Sequence, residues 1–288
     1  MPDSPSLGDG TAGPSLSIVL GTLNERMAIP DLIDRIEALE LPPHEVIVVD
    51  DGSTDGTREY VQGRMATDPH LRLLVNGAPR TLIPAQSEWV EAARGEFDAI
   101  MDSDMQHPPE KIPDVYRQLS AGADLVIASR YRPTASTGDR STFRSVISRG
   151  AEFIVRIVIP EARPVSDPMS GFYGFRRSLF HSPAPMHRGY HMLPYLLILC
   201  AGRTIKEVPY TFGHRLSGAS KVTQNFGFVR IFLSQMLITM GIRSALRGRA
   251  RARTGVAPDA SQKKAPGARS DSPLGGPSSP AGISGVRR

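Results

Sequence analysis

Five short apolar runs, each followed by a polar loop and a helical pattern, constrain the fold of this 288-residue chain more than any other feature. They read "LSIVL", "EVIVV", "LRLLV", "FDAIM" and "DLVIA" in chain order. Runs in which nearly every side chain is apolar are typical of strands that are buried on both faces. Their alternation with helices indicates an α/β fold, in which helices cover both faces of a mostly parallel sheet.

The segments between these runs carry the helical spacing that the alternation requires. In "IPDLIDRIEALE", apolar side chains recur every three or four residues and a proline lies in the first turn. Three more helices are predicted in "TREYVQGRMA", "PAQSEWVEAARG" and "EKIPDVYRQLSAG". After residue 132, "SVISRGAEFIVRIVI" and "YHMLPYLLILCAG" indicate two further helices, and "TIKEVPYTF" indicates a further strand.

Polar loops follow the predicted strands at residues 22–25, 50–56, 102–107 and 129–132. In open α/β sheets ligands bind at the carboxyl ends of the strands, so these loops are expected to line one site. Their spacing matches neither a dinucleotide-binding fingerprint nor a phosphate-binding P-loop. This argues against a Rossmann dehydrogenase and against a P-loop NTPase.

The segment "MDSDMQHPPE", residues 101–110, places two carboxylates one residue apart at the end of a strand. Alternate residues of an extended chain project to the same side, so Asp102 and Asp104 are expected to face one ligand, with Gln106 beside them. Carboxylate and amide oxygens suit Mg²⁺ or Mn²⁺. The residues alone also permit a catalytic acid–base pair or an acidic turn that leads into the prolines.

A second pair of carboxylates ends the second apolar run, in "VVDDGSTDGT". Asp, Gly, Ser and Thr all favour turns, so a structural turn is one explanation of this loop. Two strands that each end in paired aspartates also suit a nucleoside diphosphate. In that interpretation one pair, either Asp50 and Asp51 or Asp102 and Asp104, binds the base or ribose, and the other binds a metal on the diphosphate.

Six segments occur in order over roughly residues 16–222: "SIVLGTLNE", "VIVVDDGSTDGT", "MDSDMQHPPE", "VIASRY", "SDPMSGFYGFRR" and "EVPYTFGHRLSGASKV". Together they resemble the family-2 glycosyltransferases of the GT-A fold, in particular the polyprenyl-phosphate (dolichyl-phosphate) mannose synthases. The resemblance implies a metal-dependent, inverting transfer of a sugar from a nucleotide sugar, GDP-mannose before others, to a polyprenyl phosphate. The alternatives are another donor such as UDP-glucose, or a catalytically silent subunit that retains the fold.

The resemblance also implies roles for individual residues. The donor-binding residues would be Thr22, Asn24, Glu25, Asp50, Asp51, Asp102, Arg215 and Lys221. Asp104 and Gln106 would hold the metal, with Asp102 turned toward the nucleotide or a metal-bound water. The acceptor phosphate would be bound by Arg130, Arg144 and Ser148. The catalytic set would be Asp102, Asp104, Arg130 and Arg144.

The chain departs from the family pattern near the donor site. Gly21 and Leu23 stand where the family usually has proline and tyrosine. The stretch "NGAPRTLIPAQSEWVEAARG" replaces a segment that is usually glycine-rich. The identity of the sugar is therefore the least constrained part of the prediction.

The ends of the chain differ in composition from its body. The predicted divisions are a disordered leader (1–14), a GT-A glycosyltransferase domain (15–224), an amphipathic or membrane-interface helix (225–247) and a disordered basic tail (248–288). From Arg243 onward the chain carries a net charge of +8, whereas the residues before it carry −3.

These features predict a protein held at the cytoplasmic face of a membrane. The helices near residues 145–159 and 225–243 would lie in the lipid interface, and the basic tail would attract anionic lipid. The alternatives for residues 225–243 are a core helix or a helix that docks on a small membrane-anchoring partner. A nucleic-acid ligand is not expected, since the tail lacks aromatic residues and the body is acidic. One cysteine, Cys200, and a polar N-terminus fit a reducing compartment.

Overall fold

A computed structural model of the protein describes residues 13–76, 86–136, 142–180, 192–213 and 227–254. Within the helices, the description leaves out the side chains of residues 86–88, 142–147, 227–231, 235 and 249–254. The predicted leader up to residue 12 and the predicted tail from residue 255 lie outside the described residues. The chain forms two compact units, and the first, which ends at Leu246, contains the strands and the candidate site.

The described residues form the α/β fold that the sequence predicts. The strands are β1 (Leu16–Thr22), β2 (His44–Asp50), β3 (Leu71–Val75), β4 (Phe97–Asp102), β5 (Leu125–Ser129), β6 (Tyr173–Arg176) and β7 (Ile205–Pro209). The α-helices are α1 (Ile29–Glu37), α2 (Thr57–Arg64), α3 (Gln86–Ala92), α4 (Ile112–Ser120), α5 (Thr142–Val158), α6 (Leu193–Leu199) and α7 (Gly227–Thr254). The strands make one sheet in the order β3-β2-β1-β4-β6-β5-β7.

The sheet is mixed rather than wholly parallel, because β6 runs against both of its neighbours. β1 pairs in parallel with β2 and β4, and β5 with β7, but β6 is antiparallel to β4 and β5. The chain that precedes β6 lies at the carboxyl edge of the sheet, where Gly171 approaches Asp102. A strand that enters from that edge has to run toward the opposite edge, which explains the reversal.

Two apolar clusters, one on each face of the sheet, explain why the strand sequences are apolar at nearly every position. Neighbouring residues of β1 divide between the clusters: Ile18 packs with α1, α2 and α4, and Val19 packs in the cluster of α3, α5, α6 and α7. Both side chains are fully buried. Because successive residues of a strand point to opposite faces, a sheet covered on both sides needs apolar side chains throughout.

The last helix is longer than the sequence predicts. The predicted interface helix ends at residue 247, whereas α7 continues to Thr254. The added stretch, "GRARART", contains no proline and is rich in Ala and Arg, which both favour helices, so its basic composition is compatible with helix as well as with a tail. None of the helices in the described ranges combines the length and the apolar character that crossing a bilayer requires.

A buried ion pair lies at the amino edge of the sheet, opposite the polar loops. Asp98 of β4 is fully buried, and its Oδ1 accepts a hydrogen bond of 2.5 Å from Nη2 of Arg177. Burial, assisted by the nearby Glu45 carboxylate, raises the pKa of Asp98 to about 7 in spite of the opposing effect of Arg177. Between pH values of about 4 and 7 the folded protein therefore binds a proton at Asp98 that the unfolded chain has released.

This pair predicts a loss of stability as the pH rises from about 4 to about 7. The folded state holds more protons at Asp98 than the unfolded state, so this group lowers the free energy of unfolding by at most about 1.4 kcal/mol per pH unit. Asp98→Asn is expected to remove this component of the slope, which urea unfolding across the range measures.

Asp114→Asn is the control for the pH experiment. Hydrogen bonds from Lys111 hold the pKa of Asp114 below its usual range, and Arg117 adds to the effect. Its contribution to stability is therefore lost below a pH of about 4 and adds no slope above it. Equal slopes in the wild type and in Asp98→Asn would contradict the raised pKa of Asp98.

Candidate active site

The carboxyl ends of β1, β2 and β4 are adjacent, and their loops are connected. The parallel register pairs Thr22 with Asp50 and Gly21 with Asp102. The Asn24 N–H donates a 2.9 Å hydrogen bond to Ser53 Oγ, and Asn24 Oδ1 accepts one of 2.8 Å from the Thr54 N–H. Asn24 has a φ of 56°, a left-handed conformation that asparagine tolerates better than most residues.

Two of the predicted donor residues are buried beneath these loops. Thr22 Oγ1 donates a 3.2 Å hydrogen bond to the Leu20 carbonyl, and Thr22 is 2% exposed. The Glu25 N–H donates to Thr57 Oγ1 at 3.1 Å, which links the loop after β1 to the start of α2. Both residues thus belong to the framework of the edge as well as to the predicted donor site.

Asp50 and Asp51 follow each other in sequence but have different surroundings. Asp50 is fully buried, and its carboxylate accepts hydrogen bonds from the Ser53 N–H and from Nε and Nη2 of Arg58, at 2.7–3.3 Å. Burial alone would raise the pKa of Asp50, but the hydrogen bonds from Ser53 and Arg58 outweigh it and lower the pKa. Through these hydrogen bonds Asp50 stabilises the loop between β2 and α2. Asp51 is partly exposed and accepts a hydrogen bond from Asn76.

Asp102 and Asp104 differ in exposure, and strand alternation does not relate their side chains because the strand ends at Asp102. The Asp102 side chain is 60% exposed, whereas Asp104 is 4% exposed and its Oδ1 accepts a 3.0 Å hydrogen bond from the Gln106 N–H. The reason is that β4 ends at Asp102 and the chain then turns through Met105, which has a left-handed φ of 63°. The rule for extended strands does not apply beyond Asp102.

The side chains of this turn suit a hard divalent cation that also binds phosphates. Within the described residues, no group of three or more His, Cys, Asp and Glu side chains is placed to hold a metal ion. Mg²⁺ is commonly bound through one or two carboxylates, with substrate phosphates completing its shell. Asp102, Asp104 and Gln106 fit that chemistry and would depend on a phosphate ligand to complete the site.

His107 is buried beside the turn, among aromatic side chains. Its ring is 3% exposed, with Nδ1 3.0 Å from the Tyr210 hydroxyl and Nε2 3.6 Å from Asp102 Oδ2. Phe172 and Phe212 pack edge-on against the ring. The sequence pattern predicts a turn-shaping role for His107. The sequence carries no local signal of the contact between His107 and Tyr210, because the two residues are 103 positions apart.

Arg130, at the end of β5, is buried against Asp167. The guanidinium donates from Nε and Nη2 to the two carboxylate oxygens, each at 2.7 Å, and the Arg130 N–H donates to Oδ2 at 3.1 Å. Burial alone would lower the pKa of Arg130, but Asp167 outweighs it and raises the pKa, so the cation persists. The sequence motifs point to Arg130 but not to Asp167. The one indication of a role for Asp167 is that it lies in "SDPMSGFYGFRR".

The loop that carries Asp167 is itself anchored to two strands. Glu207 of β7 accepts hydrogen bonds from the Ser166 N–H at 2.9 Å and the Ser166 hydroxyl at 3.0 Å. The Ser170 hydroxyl donates to the carbonyl of Ala128 in β5 at 2.6 Å. These contacts hold the "SDPMSGF" loop against the carboxyl edge, so the position of Arg130 depends on β5, β7 and this loop together.

The predicted acceptor residues are described in part. The Ser148 hydroxyl on α5 donates to Glu152 Oε1 at 3.3 Å, and the Tyr131 hydroxyl donates to the same oxygen at 2.9 Å. Burial raises the pKa of Glu152. Since Tyr131 adjoins Arg130 in the chain, α5 brings Ser148 near the end of β5. The Arg144 side chain, Arg215 and Lys221 lie outside the described residues.

The departure at Gly21 has a structural counterpart in α3. A Cβ atom on Gly21 would lie 3.1 Å from Cη2 of Trp89, the one tryptophan of the sequence. The indole is buried and occupies the space beside β1 where a larger residue would extend. Trp89 therefore fits beside the carboxyl end of β1 because position 21 has no side chain.

The chain belongs to glycosyl transferase family 2, since residues 17–182 match the model of that family. It is 34% identical over 208 residues to the dolichol-phosphate mannosyltransferase of Pyrococcus furiosus, covering 72% of this chain but 59% of that protein. It is 32% identical to the proteins of the same name from Mycosarcoma maydis and Saccharomyces cerevisiae. Those alignments cover 73% and 72% of this chain, and 74% and 80% of the relatives.

Solved structures support the GT-A fold that the sequence predicts. The complex of Mycobacterium tuberculosis glucosyl-3-phosphoglycerate synthase with Mn²⁺, uridine diphosphate and glucosyl-3-phosphoglycerate aligns with a TM-score of 0.59 and 26% identity. The alignment covers 80% of this chain and 81% of that chain. A complex of that enzyme with Mn²⁺, UDP-glucose and phosphoglyceric acid aligns equally well. The predicted fold and the glycosyltransferase class are therefore confirmed, and these neighbours were crystallised with Mn²⁺.

The Arg130–Asp167 pair predicts a large effect on stability. Asp167→Asn removes the negative partner of a buried arginine, which typically lowers the free energy of unfolding by about 3–5 kcal/mol. Asp31→Asn is the control, because it removes one of the two carboxylate partners of the exposed Arg35, which keeps Glu110, and is expected to cost about 1 kcal/mol or less. Urea unfolding measures both. A loss for Asp167→Asn as small as that of the control would contradict the assigned pairing.

Proposed function

We propose that this chain transfers mannose from GDP-mannose to the phosphate of a polyprenyl lipid of the dolichyl type. The reaction would release GDP and invert the configuration at the anomeric carbon. The observation that carries the proposal is the 32–34% identity, over 72–73% of this chain, to three proteins named dolichol-phosphate mannosyltransferase. GDP-mannose as the donor rests on the resemblance of the sequence motifs.

A phosphate acceptor explains why arginines, rather than a catalytic base, are proposed to bind it. The second pKa of a phosphate monoester is about 6, so the acceptor is already anionic near pH 7. Such a nucleophile needs a cation that positions it against the anomeric carbon. Nε and Nη2 of Arg130 donate hydrogen bonds to Asp167, so Nη1 is the guanidinium nitrogen that would bind the acceptor phosphate. Arg144 and Ser148 would complete the acceptor site.

The donor is proposed to lie over the loops after β1, β2 and β4. Asp51 is the better candidate of its pair for contact with the nucleoside, because Asp50 is committed to Ser53 and Arg58. The remaining donor residues would be Thr22, Asn24, Glu25, Arg215 and Lys221. A divalent cation, Mg²⁺ or Mn²⁺, held by Asp102, Asp104 and Gln106, would offset the charge of the departing nucleoside diphosphate.

The proposal predicts turnover in one defined reaction. With GDP-mannose, Mg²⁺ or Mn²⁺ and a short polyprenyl phosphate, the wild type is expected to form the mannosylated lipid, detected by mass spectrometry. Asp104→Asn is expected to lower kcat/KM by roughly two orders of magnitude, which corresponds to about 3 kcal/mol. Asp114→Asn, at an ion pair with Lys111 and Arg117 outside the site, is the control and is expected to keep wild-type turnover.

Two results would contradict the proposal in different ways. Unchanged turnover of Asp104→Asn would remove this carboxylate from the metal site. No product with any nucleotide sugar would favour the catalytically silent subunit.

A second candidate reaction uses UDP-glucose as the donor. The solved complex that holds Mn²⁺, UDP-glucose and phosphoglyceric acid aligns over 80% of this chain, and both it and the proposed reaction involve a phosphate-bearing acceptor. Adding UDP-glucose and 3-phosphoglycerate to the donor and acceptor panel separates the two reactions directly. Transfer of glucose with no transfer of mannose would replace the first candidate by the second.

We further propose that α5 and α7 contact the cytoplasmic face of a membrane. On α5, Phe153 and Ile157 are 65% and 58% exposed and lie one turn apart. On α7, Leu233, Leu237 and Met240 are exposed and recur at helical spacing. Large apolar side chains exposed in this pattern are typical of interfacial helices and of docking surfaces. A membrane interface would place the enzyme where its lipid acceptor resides, and a small membrane-anchoring partner is the alternative occupant.

Flotation with phosphatidylcholine vesicles tests this surface. Leu237→Ser/Met240→Ser and Phe153→Ser/Ile157→Ser are each expected to reduce the vesicle-bound fraction, because each removes two apolar contacts with the lipid interface. Lys206→Ser, an exposed polar position on β7, is the control. Repeating the assay with anionic lipid in the vesicles measures how much the basic tail adds to vesicle binding, apart from the exposed apolar side chains. Flotation of both double variants at the wild-type level would contradict the lipid contact.

A further inference from the structure

We propose that His107 is a positioning residue that orients the Asp102 carboxylate for the donor, and that Tyr210 holds His107 in the state that does so. The inference rests on the proposed function in one respect, namely that Asp102 takes part in binding the metal and diphosphate. It assigns a function to two buried side chains that lie behind the candidate ligands and belong to distant parts of the chain.

The surroundings of His107 assign a different partner to each ring nitrogen. Nδ1 lies 3.0 Å from the Tyr210 hydroxyl, and Nε2 lies 3.6 Å from Asp102 Oδ2. The second distance is longer than a hydrogen bond, and a rotation of the exposed Asp102 side chain that shortens it by less than 1 Å would make one. The ring is 3% exposed and is packed between Phe172 and Phe212, so it stays fixed while Asp102 can adjust.

The direction of the hydrogen bond between the Tyr210 hydroxyl and Nδ1 determines which ring nitrogen can donate to Asp102. We assign the hydroxyl as the donor, so that the ring N–H lies on Nε2, the nitrogen nearer to the carboxylate. Tyr210 is itself buried, at 1% exposure, and follows β7 directly. The three groups therefore form a chain, from the Tyr210 hydroxyl through the imidazole to the exposed carboxylate at the end of β4.

Two glycines show how closely the backbone encloses this chain. A Cβ atom on Gly171 would lie 3.0 Å from both Asp102 Oδ2 and His107 Nε2, so a side chain there would press on the contact itself. Gly213 donates its N–H to the Gln106 carbonyl at 2.8 Å, and a Cβ on Gly213 would lie 2.8 Å from the Met105 carbonyl oxygen. The turn that carries the candidate ligands is thus held from two sides next to His107.

This arrangement is the one by which proteins commonly orient a carboxylate for a metal. A buried partner that donates to a ligand fixes its orientation, and loss of such a partner typically weakens metal binding about 10–100-fold. A partner of this kind constrains an exposed side chain such as Asp102 more than a buried one such as Asp104. Asp104 is buried and receives the Gln106 N–H, whereas the Asp102 side chain is mostly exposed.

Two substitutions at position 107 separate orientation from packing. His107→Gln keeps a donor that can reach Asp102, whereas His107→Leu keeps bulk but has no donor. Binding of Mn²⁺ in the presence of GDP, and separately of UDP, is measured by electron paramagnetic resonance without any turnover. His107→Leu is expected to weaken Mn²⁺ binding about 10–100-fold, and His107→Gln is expected to weaken it less. Tyr210→Phe should also weaken it, because the proton on Nε2 is then no longer enforced.

Phe172→Leu is the packing control, because Phe172 touches the ring but has no polar atom. It should leave Mn²⁺ affinity near the wild-type value, and thermal unfolding of all variants shows which of them fold. Equal Mn²⁺ affinity in folded His107→Leu and His107→Gln would overturn the inference, as would an equal loss in Phe172→Leu. A wild type that binds no Mn²⁺ with either nucleotide would also overturn it. Absence of mannosyl transfer with the expected binding pattern would instead count against the proposed function alone.

Discussion

The structure depends on a buried charge pair, Arg130 with Asp167, at the carboxyl edge of the sheet. The charge of an arginine excluded from water has to be compensated, and Asp167 does this by accepting hydrogen bonds from Nε and Nη2 with its two oxygens, each at 2.7 Å. Asp167 in turn requires the "SDPMSGF" loop to lie over β5 and β7, where Glu207 and Ser170 anchor it. That placement makes β6 enter the sheet from the carboxyl edge and run antiparallel. One electrostatic requirement therefore connects the topology of the sheet to the position of the proposed acceptor arginine.

The same edge carries carboxylates that differ in their surroundings. Asp50 and Asp104 are buried and bind backbone N–H groups, so they help to fix the shapes of their loops. Asp51 and Asp102 are the more exposed members of the two pairs. In the proposed site Asp104 also holds the metal with Asp102 and Gln106, so one carboxylate would both shape the turn and bind the ligand. Loops fixed in this way would give a charged nucleotide sugar a preorganised edge to bind.

The sequence predicts the α/β fold and most of the strands and helices, because apolar runs and helical spacing are local signals. It also predicts that the polar loops after β1, β2 and β4 lie together, since the strand ends of a parallel sheet meet at one edge. It does not predict the antiparallel β6 or the opposite exposures of Asp102 and Asp104, which depend on a loop and a turn beyond the reach of periodicity. Asp167, Glu207 and the link from His107 to Tyr210 were missed for the same reason: their partners lie 37 to 103 residues away.

The turn after β4, backed by His107, is proposed to present the metal and diphosphate site. Anomalous diffraction from crystals grown with Mn²⁺ and GDP tests it most directly, because the signal locates the ion independently of any assumed mechanism. A Mn²⁺ peak is expected beside the carboxylates of the turn that contains Asp102, Asp104 and Gln106, with His107 behind them and with Arg130 still paired to Asp167. A Mn²⁺ peak at another part of the chain, with this turn bearing no ion, would contradict it.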